Sequence, residues 1–139
     1  MAKIHKAPFA QTPRRWSAVV TAALADIDDS PGAEKALLGQ AHASEGSILT
    51  RLSAIPRATT GGVVVLYLFS TLDDTTFRLL RAKQAAADTV STTDAPIEID
   101  FGYGEDTPLR LQAGEKLHVG ASVALAAGWV FSADVMDYA

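Results

Sequence analysis

The chain has 139 residues, 48% of them hydrophobic, and no cysteine. A chain of this length buries roughly two-thirds of the surface that its unfolded state exposes, so it can fold as one domain without a disulfide. The lack of cysteine excludes a disulfide framework and thiolate metal sites. No run approaches the ~20 apolar residues of a membrane-spanning helix, so we expect no membrane association.

The net charge of −4 is distributed unevenly along the chain. Residues 94–139 carry eight acids against two basic residues, a balance of −6. Residues 1–25 carry no acid and four basic side chains, Lys3, Lys6, Arg14 and Arg15. This polarity favours docking on an acidic surface or head-to-tail contact between copies, whereas nucleic acid requires a broad basic face, so we expect no nucleic-acid partner. A basic N-terminus that is merely solvated is the alternative.

Alternation of apolar and polar residues predicts eight strands in chain order. They cover residues 16–24, 35–40, 48–55, 62–69, 76–83, 97–103, 117–125 and 129–135. The alternation is cleanest where Ile97, Ile99, Phe101 and Tyr103 face inward and Glu98 faces outward. A helix over residues 33–43 is the alternative for the second strand, because that stretch is rich in Ala, Leu, Glu and Lys.

The same periodicity assigns faces to individual residues. Residues 62–69 are apolar on both faces, which is typical of a central strand. Trp129 and Phe131 share the inward face of the last strand, while His118 falls on the outward face of its strand. The three residues Ala126-Ala127-Gly128 lie between the last two strands and are predicted to connect them as a hairpin.

Short strands without alternating helices predict an all-β fold, a jelly roll or β-sandwich of about eight strands. We expect an extended N-terminal arm over residues 1–13 and a single sandwich domain over residues 14–139.

No constellation of residues predicts catalysis or a cofactor. Asp26, Asp28 and Ser30 have the first spacings of a calcium loop, but the required glycine and glutamate are misplaced, so an acidic turn is the better interpretation, as it is for Asp73-Asp74. The three histidines are not at metal-ligand spacing, and no serine lies in a G-x-S-x-G motif. Four carboxylates could converge as a glycosidase pair, although alternation favours a solvated outer face: Glu98, Asp100, Asp134 and Asp137. We therefore expect no enzyme, metal or cofactor.

Basic and aromatic residues near the N-terminus are the remaining candidates for recognition. Trp and Arg are over-represented at interface hot spots, although packing of Trp16 in the core is the alternative for that residue. The predicted partner-binding residues are Lys3, Lys6, Phe9, Arg14, Arg15 and Trp16.

Residues 46–138, about two-thirds of the chain, resemble small virion proteins of tailed phages and prophages that are treated as head decoration or cement proteins. The resemblance is carried by residues 47–57 (SILTRLSAIPR), 100–103 (DFGY), 108–117 (PLRLQAGEKL) and 127–138, which begin AGW and end DY. The doubled glycine Gly61-Gly62 departs from this pattern and puts the local loop in doubt.

The resemblance implies a jelly roll that binds the major capsid protein and copies of itself, as a dimer or trimer, on the capsid surface of a virion made in a bacterial host cytoplasm. The basic arm would then act as a clasp. The alternatives are a tail, collar or fibre-associated virion protein and a carbohydrate-binding β-sandwich module, which would need a row of exposed aromatic rings.

Overall fold

Residues 12–138, which the computed structural model describes, form nine strands. The strands are β1 (Thr12–Val20), β2 (Ala36–Gln40), β3 (Ser47–Pro56), β4 (Val64–Thr71), β5 (Arg78–Ala85), β6 (Ile99–Asp100), β7 (Leu109–Leu111), β8 (Lys116–Ala121) and β9 (Trp129–Asp137). All pairings between these strands are antiparallel.

The strands form two sheets with the connectivity of a jelly roll. Sheet A has the order β1-β9-β3-β6, and β7 pairs with β3 as well, so two short strands share one position. Sheet B has the order β2-β8-β4-β5. Each sheet combines early and late strands, which is the double Greek-key arrangement. The predicted all-β jelly-roll class is confirmed, while residues 1–11 of the predicted N-terminal arm lie outside the described residues.

The core lies between the sheets and is filled by alternate residues of each strand. β9 contributes Trp129, Phe131, Ala133 and Val135, each at most 2% exposed. Sheet B contributes the facing row of buried side chains, which consists of Leu66, Leu68, Leu117, Val119 and Ala121. Trp129 and Phe131 are therefore core residues, as alternation predicted, and residues 64–71 are an interior strand of sheet B.

The predicted hairpin at Ala126-Ala127-Gly128 is wrong. β8 pairs with β2 and β4, whereas β9 pairs with β1 and β3, so this connection crosses from one sheet to the other. Gly128, at φ 89°, makes the turn that allows the crossing. Alternation identifies the buried face of a strand but contains no information about which sheet the strand joins.

Two predicted strands are longer than the observed ones. In residues 97–103 only Ile99 and Asp100 pair with β3, and Ile97, predicted to face inward, is 53% exposed. Phe101 is buried as predicted, and its N–H donates to the Leu52 carbonyl beyond the end of β6. Likewise β8 stops at Ala121, since the chain turns away there to reach the other sheet.

The second element is a strand and not the alternative helix, because Ala36–Gln40 pairs with β8. Gly39 in this strand lies against the Trp16 indole, and a Cβ at Gly39 would come within 2.1 Å of that ring. β1 covers residues 12–20 instead of 16–24, so Thr12 and Pro13, assigned to the arm from sequence, lie in the strand.

The outer side of β8 in sheet B is covered by loop residues. A Cβ at Gly120 would collide with the Leu24 side chain, and the Phe77 ring packs edge-on against His118 with centroids 5.1 Å apart. His118 does lie on the outer side of β8, but this cover leaves it 9% exposed. Burial, and then the nearby Lys35, lower the pKa of His118.

We expect Gly39→Ala to lower the free energy of unfolding by about 1–3 kcal/mol, because the added methyl group overlaps the Trp16 ring. Gly61→Ala is the matched control, since nothing lies within 4 Å of its Cβ position. It should be neutral or stabilise by about 0.5 kcal/mol. Urea denaturation of both variants measures the difference, and equal effects would contradict the tight packing of Trp16 on β2.

We expect His118→Phe to reduce the loss of stability at mildly acidic pH. Burial lowers the pKa of His118 in the fold, while the unfolded chain titrates near the ordinary pKa of 6.5, so the contribution of neutral His118 to stability is present above that pH and is lost as pH falls through the lowered folded-state pKa. Phenylalanine keeps the packing on Phe77 and cannot be protonated. Urea denaturation as a function of pH tests this, and an unchanged loss in the variant would assign it to other groups.

Candidate partner-binding surface

The structure places three of the six predicted partner-binding residues, and these three do not form one cluster. Arg14, Arg15 and Trp16 lie in β1, where Arg14 and Trp16 face the interior side of sheet A and Arg15 faces outward. The other three, Lys3, Lys6 and Phe9, lie outside the described residues.

The Arg14 side chain binds Asp137 within the domain and so holds the start of β1 against β9. Its Nε donates to Asp137 Oδ2 at 2.8 Å, and the Ser47 hydroxyl donates to Asp137 Oδ1 at 2.6 Å. Burial opposes ionisation of Asp137, but these hydrogen bonds outweigh it and hold its pKa below the ordinary value. The three side chains therefore hold β1, β3 and β9 together, and the cluster of Arg14, Ser47 and Asp137 is here called the pin.

Arg15 takes part in a second network on the outward side of sheet A. Arg15 Nε lies 3.3 Å from Asp134 Oδ1, Arg51 Nη1 lies 3.6 Å from Asp134 Oδ2, and Arg51 Nη2 lies 2.9 Å from Glu98 Oε2. Two positive and two negative charges alternate, so this row is neutral overall. These side chains are 38–75% exposed, and such pairs contribute little to stability.

The four carboxylates considered as a glycosidase pair are distributed among separate structural roles. Glu98 and Asp134 are both bound to Arg51, Asp137 belongs to the pin, and Asp100 accepts a hydrogen bond from the Gly102 N–H. The acidic loops are turns, as predicted: Asp26 accepts the N–H groups of the next two residues. In residues 12–138 no three His, Cys, Asp or Glu side chains are grouped so as to hold a metal ion.

The outward side of sheet A, here called face A, consists of side-chain rows that run across β1, β9 and β3. In-register pairing places residues of the same side next to one another. From one end to the other, the rows are Val19-Val130-Ile55, Ser17-Ser132-Ser53, Arg15-Asp134-Arg51 and Pro13-Met136-Ile48.

Face A is uncovered at its centre, in contrast to the outer side of β8. Val130, Ser132, Asp134 and Met136 are only half-buried although β9 is an interior strand, and Val19 beside them is 45% exposed. The exposed serines of the second row, Ser17 and Ser132, are short and the charged row is neutral, so a partner's backbone can approach this sheet closely. Face A is therefore one surface on which the described residues present contact area.

Trp16 packs on Gly39 at the margin of the core and is half-buried. This is the core alternative given from sequence, and it leaves part of the ring exposed.

Residues 12–138 contain no helix able to cross a membrane.

A pocket at the opposite end of the sandwich from the pin was missed by sequence reasoning. It has a volume of about 150 Å³ and is lined by Thr59, Thr60, Gly61, Gly62, Val63, Val64, Val123, Ala124, Leu125 and Trp129. Trp129 is 2% exposed, and its indole N–H finds no acceptor within residues 12–138. The doubled glycine Gly61-Gly62, which stood out in the sequence, lies in the lining of this pocket and was the sequence signal for it.

Comparison with protein-family profiles gives no match, and neither does comparison with curated protein sequences. Solved structures similar to this chain include the infectious bursal disease virus VP2 subviral particle, at 12% identity and a TM-score of 0.37, and T=1 particles derived from that virus, at 19% and 0.36. The alignments cover 99% of this chain but only 37% and 36% of those chains, so the chain spans just over a third of their length.

We expect Asp137→Asn to lower the free energy of unfolding by about 1–3 kcal/mol at neutral pH, because the Arg14 and Ser47 donors lose a buried charged acceptor. The wild type should lose this stabilisation as pH falls from the ordinary value of 3.8 through the lower folded-state pKa, and the variant should not. Asp134→Asn on the same strand is the control and should cost at most about 1 kcal/mol, because its pairs are exposed. Equal losses in the two variants would contradict the pin.

Proposed function

We propose that this chain is a non-enzymatic structural protein of a tailed-phage virion, which binds the major capsid protein as a decoration or cement protein and stabilises the head. The observation that carries the proposal is face A, an uncovered sheet surface bordered by the edge strand β1, from which the basic N-terminal residues continue. A β1 edge with no strand beside it in residues 12–138 can accept main-chain hydrogen bonds from a partner.

The distribution of charge indicates which basic residues of the proposed clasp are available to a partner. Residues 1–11 carry Lys3 and Lys6 and no acid, a charge of +2, while residues 12–138 carry ten basic and sixteen acidic side chains, a charge of −6. Arg14 and Arg15 are bound to aspartates within the domain. The positive charge available to an acidic capsid surface therefore comes mainly from Lys3 and Lys6, before the strand begins.

The proposed mechanism is adhesion. Copies that bind across capsomer boundaries add contacts that exist only in the assembled shell, so they stabilise it by mass action. The protein would then be found on the capsid surface after synthesis in the bacterial host cytoplasm. A position on the tail, collar or fibre would use the same face with a different partner.

The residues that carry the resemblance to phage virion proteins belong to the scaffold. Residues 47–57 are β3 and its end, residues 108–117 are β7 and its turn into β8, and residues 127–138 are β9. These residues form the fold, so the choice of partner depends on the exposed surface of the domain. The carbohydrate-module alternative receives no support, since Phe69, Phe77, Phe101, Trp129 and Phe131 are buried and the described residues present no row of exposed rings.

We expect Ser17→Glu combined with Ser132→Glu to weaken retention on capsids about tenfold or more, because two carboxylates enter the serine row of face A and repel an acidic partner. Thr92→Glu, which adds the same group on an exposed turn, is the control and should be retained like the wild type. Co-sedimentation with capsids at increasing salt measures retention. Retention of the double variant at wild-type level, with its fold confirmed by circular dichroism, would contradict the role of face A.

A further inference from the structure

The pocket at Trp129 has the volume and the lining of a binding site for an apolar group. Its volume of about 150 Å³ is that of a cavity known to hold benzene. A buried indole N–H normally has an acceptor, and the Trp129 N–H has none in the described chain.

The entrance to the pocket is open and apolar. Nothing lies within 4 Å of a Cβ placed on Gly61 or Gly62, so a peptide backbone can approach over these residues. Val63 and Val123 line the pocket and are 54% and 48% exposed, so its rim presents apolar surface. A peptide carrying one benzene-sized side chain fits this volume and this open rim.

We infer that this pocket binds Phe9 of a second copy of the chain. Residues 1–11 contain one aromatic residue, Phe9, three positions before the strand that begins at Thr12. Their charge of +2 is attracted to the body of another copy, which has a charge of −6 over residues 12–138.

The reach of the chain excludes the pocket of the same copy. Thr12 pairs with Asp137 at one end of β9 and Val20 pairs with Trp129 at the other, so β1 separates Thr12 from the pocket by about 26 Å. The three residues from Thr12 back to Phe9 span at most about 11 Å. The deficit of about 15 Å exceeds the length of a phenylalanine side chain, so Phe9 can enter only the pocket of another molecule.

The contact joins the arm end of one molecule to the pocket end of the next. It names the two contact partners of the self-association that the resemblance to phage virion proteins implies, and it does not depend on capsid binding. A ring of two or three copies closes such contacts, and a reciprocal exchange of arms closes a dimer.

The test uses full-length variants in sedimentation velocity experiments without capsids. Phe9→Ala removes the group that enters, and Val123→Asp places a charge on the rim of the pocket, so each should weaken self-association about 30-fold. A mixture of the two variants should associate, because one supplies the pocket and the other supplies Phe9. Ile97→Asp, an exposed aliphatic position outside the pocket, is the control and should associate like the wild type.

A second measurement addresses the pocket directly and does not require Val123→Asp to fold. A peptide of residues 1–11 is added to ¹⁵N-labelled full-length Phe9→Ala protein, and the indole N–H signals of its two tryptophans are followed. The Trp129 signal should shift on binding and the Trp16 signal should not, while the same peptide carrying Phe9→Ala should shift neither.

A wild-type chain that stays monomeric, a Phe9→Ala variant that associates normally, or a Trp129 signal that the peptide leaves unchanged would each overturn this contact. These results are independent of the capsid assay. Loss of capsid retention with normal self-association concerns face A alone, and loss of self-association with normal retention concerns the pocket alone.

Discussion

The structure depends on one strand, β9, and on the alternation of its side chains across the middle of sheet A. The inward row from Trp129 to Val135 fills the core against sheet B, and it ends at Asp137, which pins β1 and β3. The outward row forms the centre of face A. Because successive residues of a strand point to opposite faces, the same nine residues supply both the packing and the contact surface.

The two ends of β9 have different chemistry, and this gives the domain a direction. β1 begins at the Asp137 end, and residues 1–11, which precede it in sequence, carry Lys3 and Lys6. At the Trp129 end, a glycine-lined pocket lies against Trp129, whose indole N–H has no acceptor within residues 12–138. The proposed contact of Phe9 with this pocket would join opposite ends of neighbouring copies and would leave face A available to a different partner.

Much of the fold could be predicted because burial of one face of a strand places apolar residues at every second position of the sequence. The buried residues of β9, β8 and β4 and the all-β class were confirmed, and the strand at residues 36–40 was correctly preferred over a helix. The candidate site was less predictable. Arg14 and Arg15 are adjacent in sequence but lie on opposite sides of sheet A, where Asp137 and Asp134, more than a hundred residues away, determine what each arginine does.

The sequence by itself determined the inward rows of β4, β8 and β9 and where the charge is concentrated, since both properties follow from side-chain chemistry and local alternation. Only the tertiary structure decided that β8 and β9 lie in different sheets, that loop residues bury His118, and that Gly61-Gly62 and Trp129 enclose one pocket. These features arise from contacts between distant segments. Strand pairing and loop packing are selected by the total burial of the domain, which no local pattern encodes.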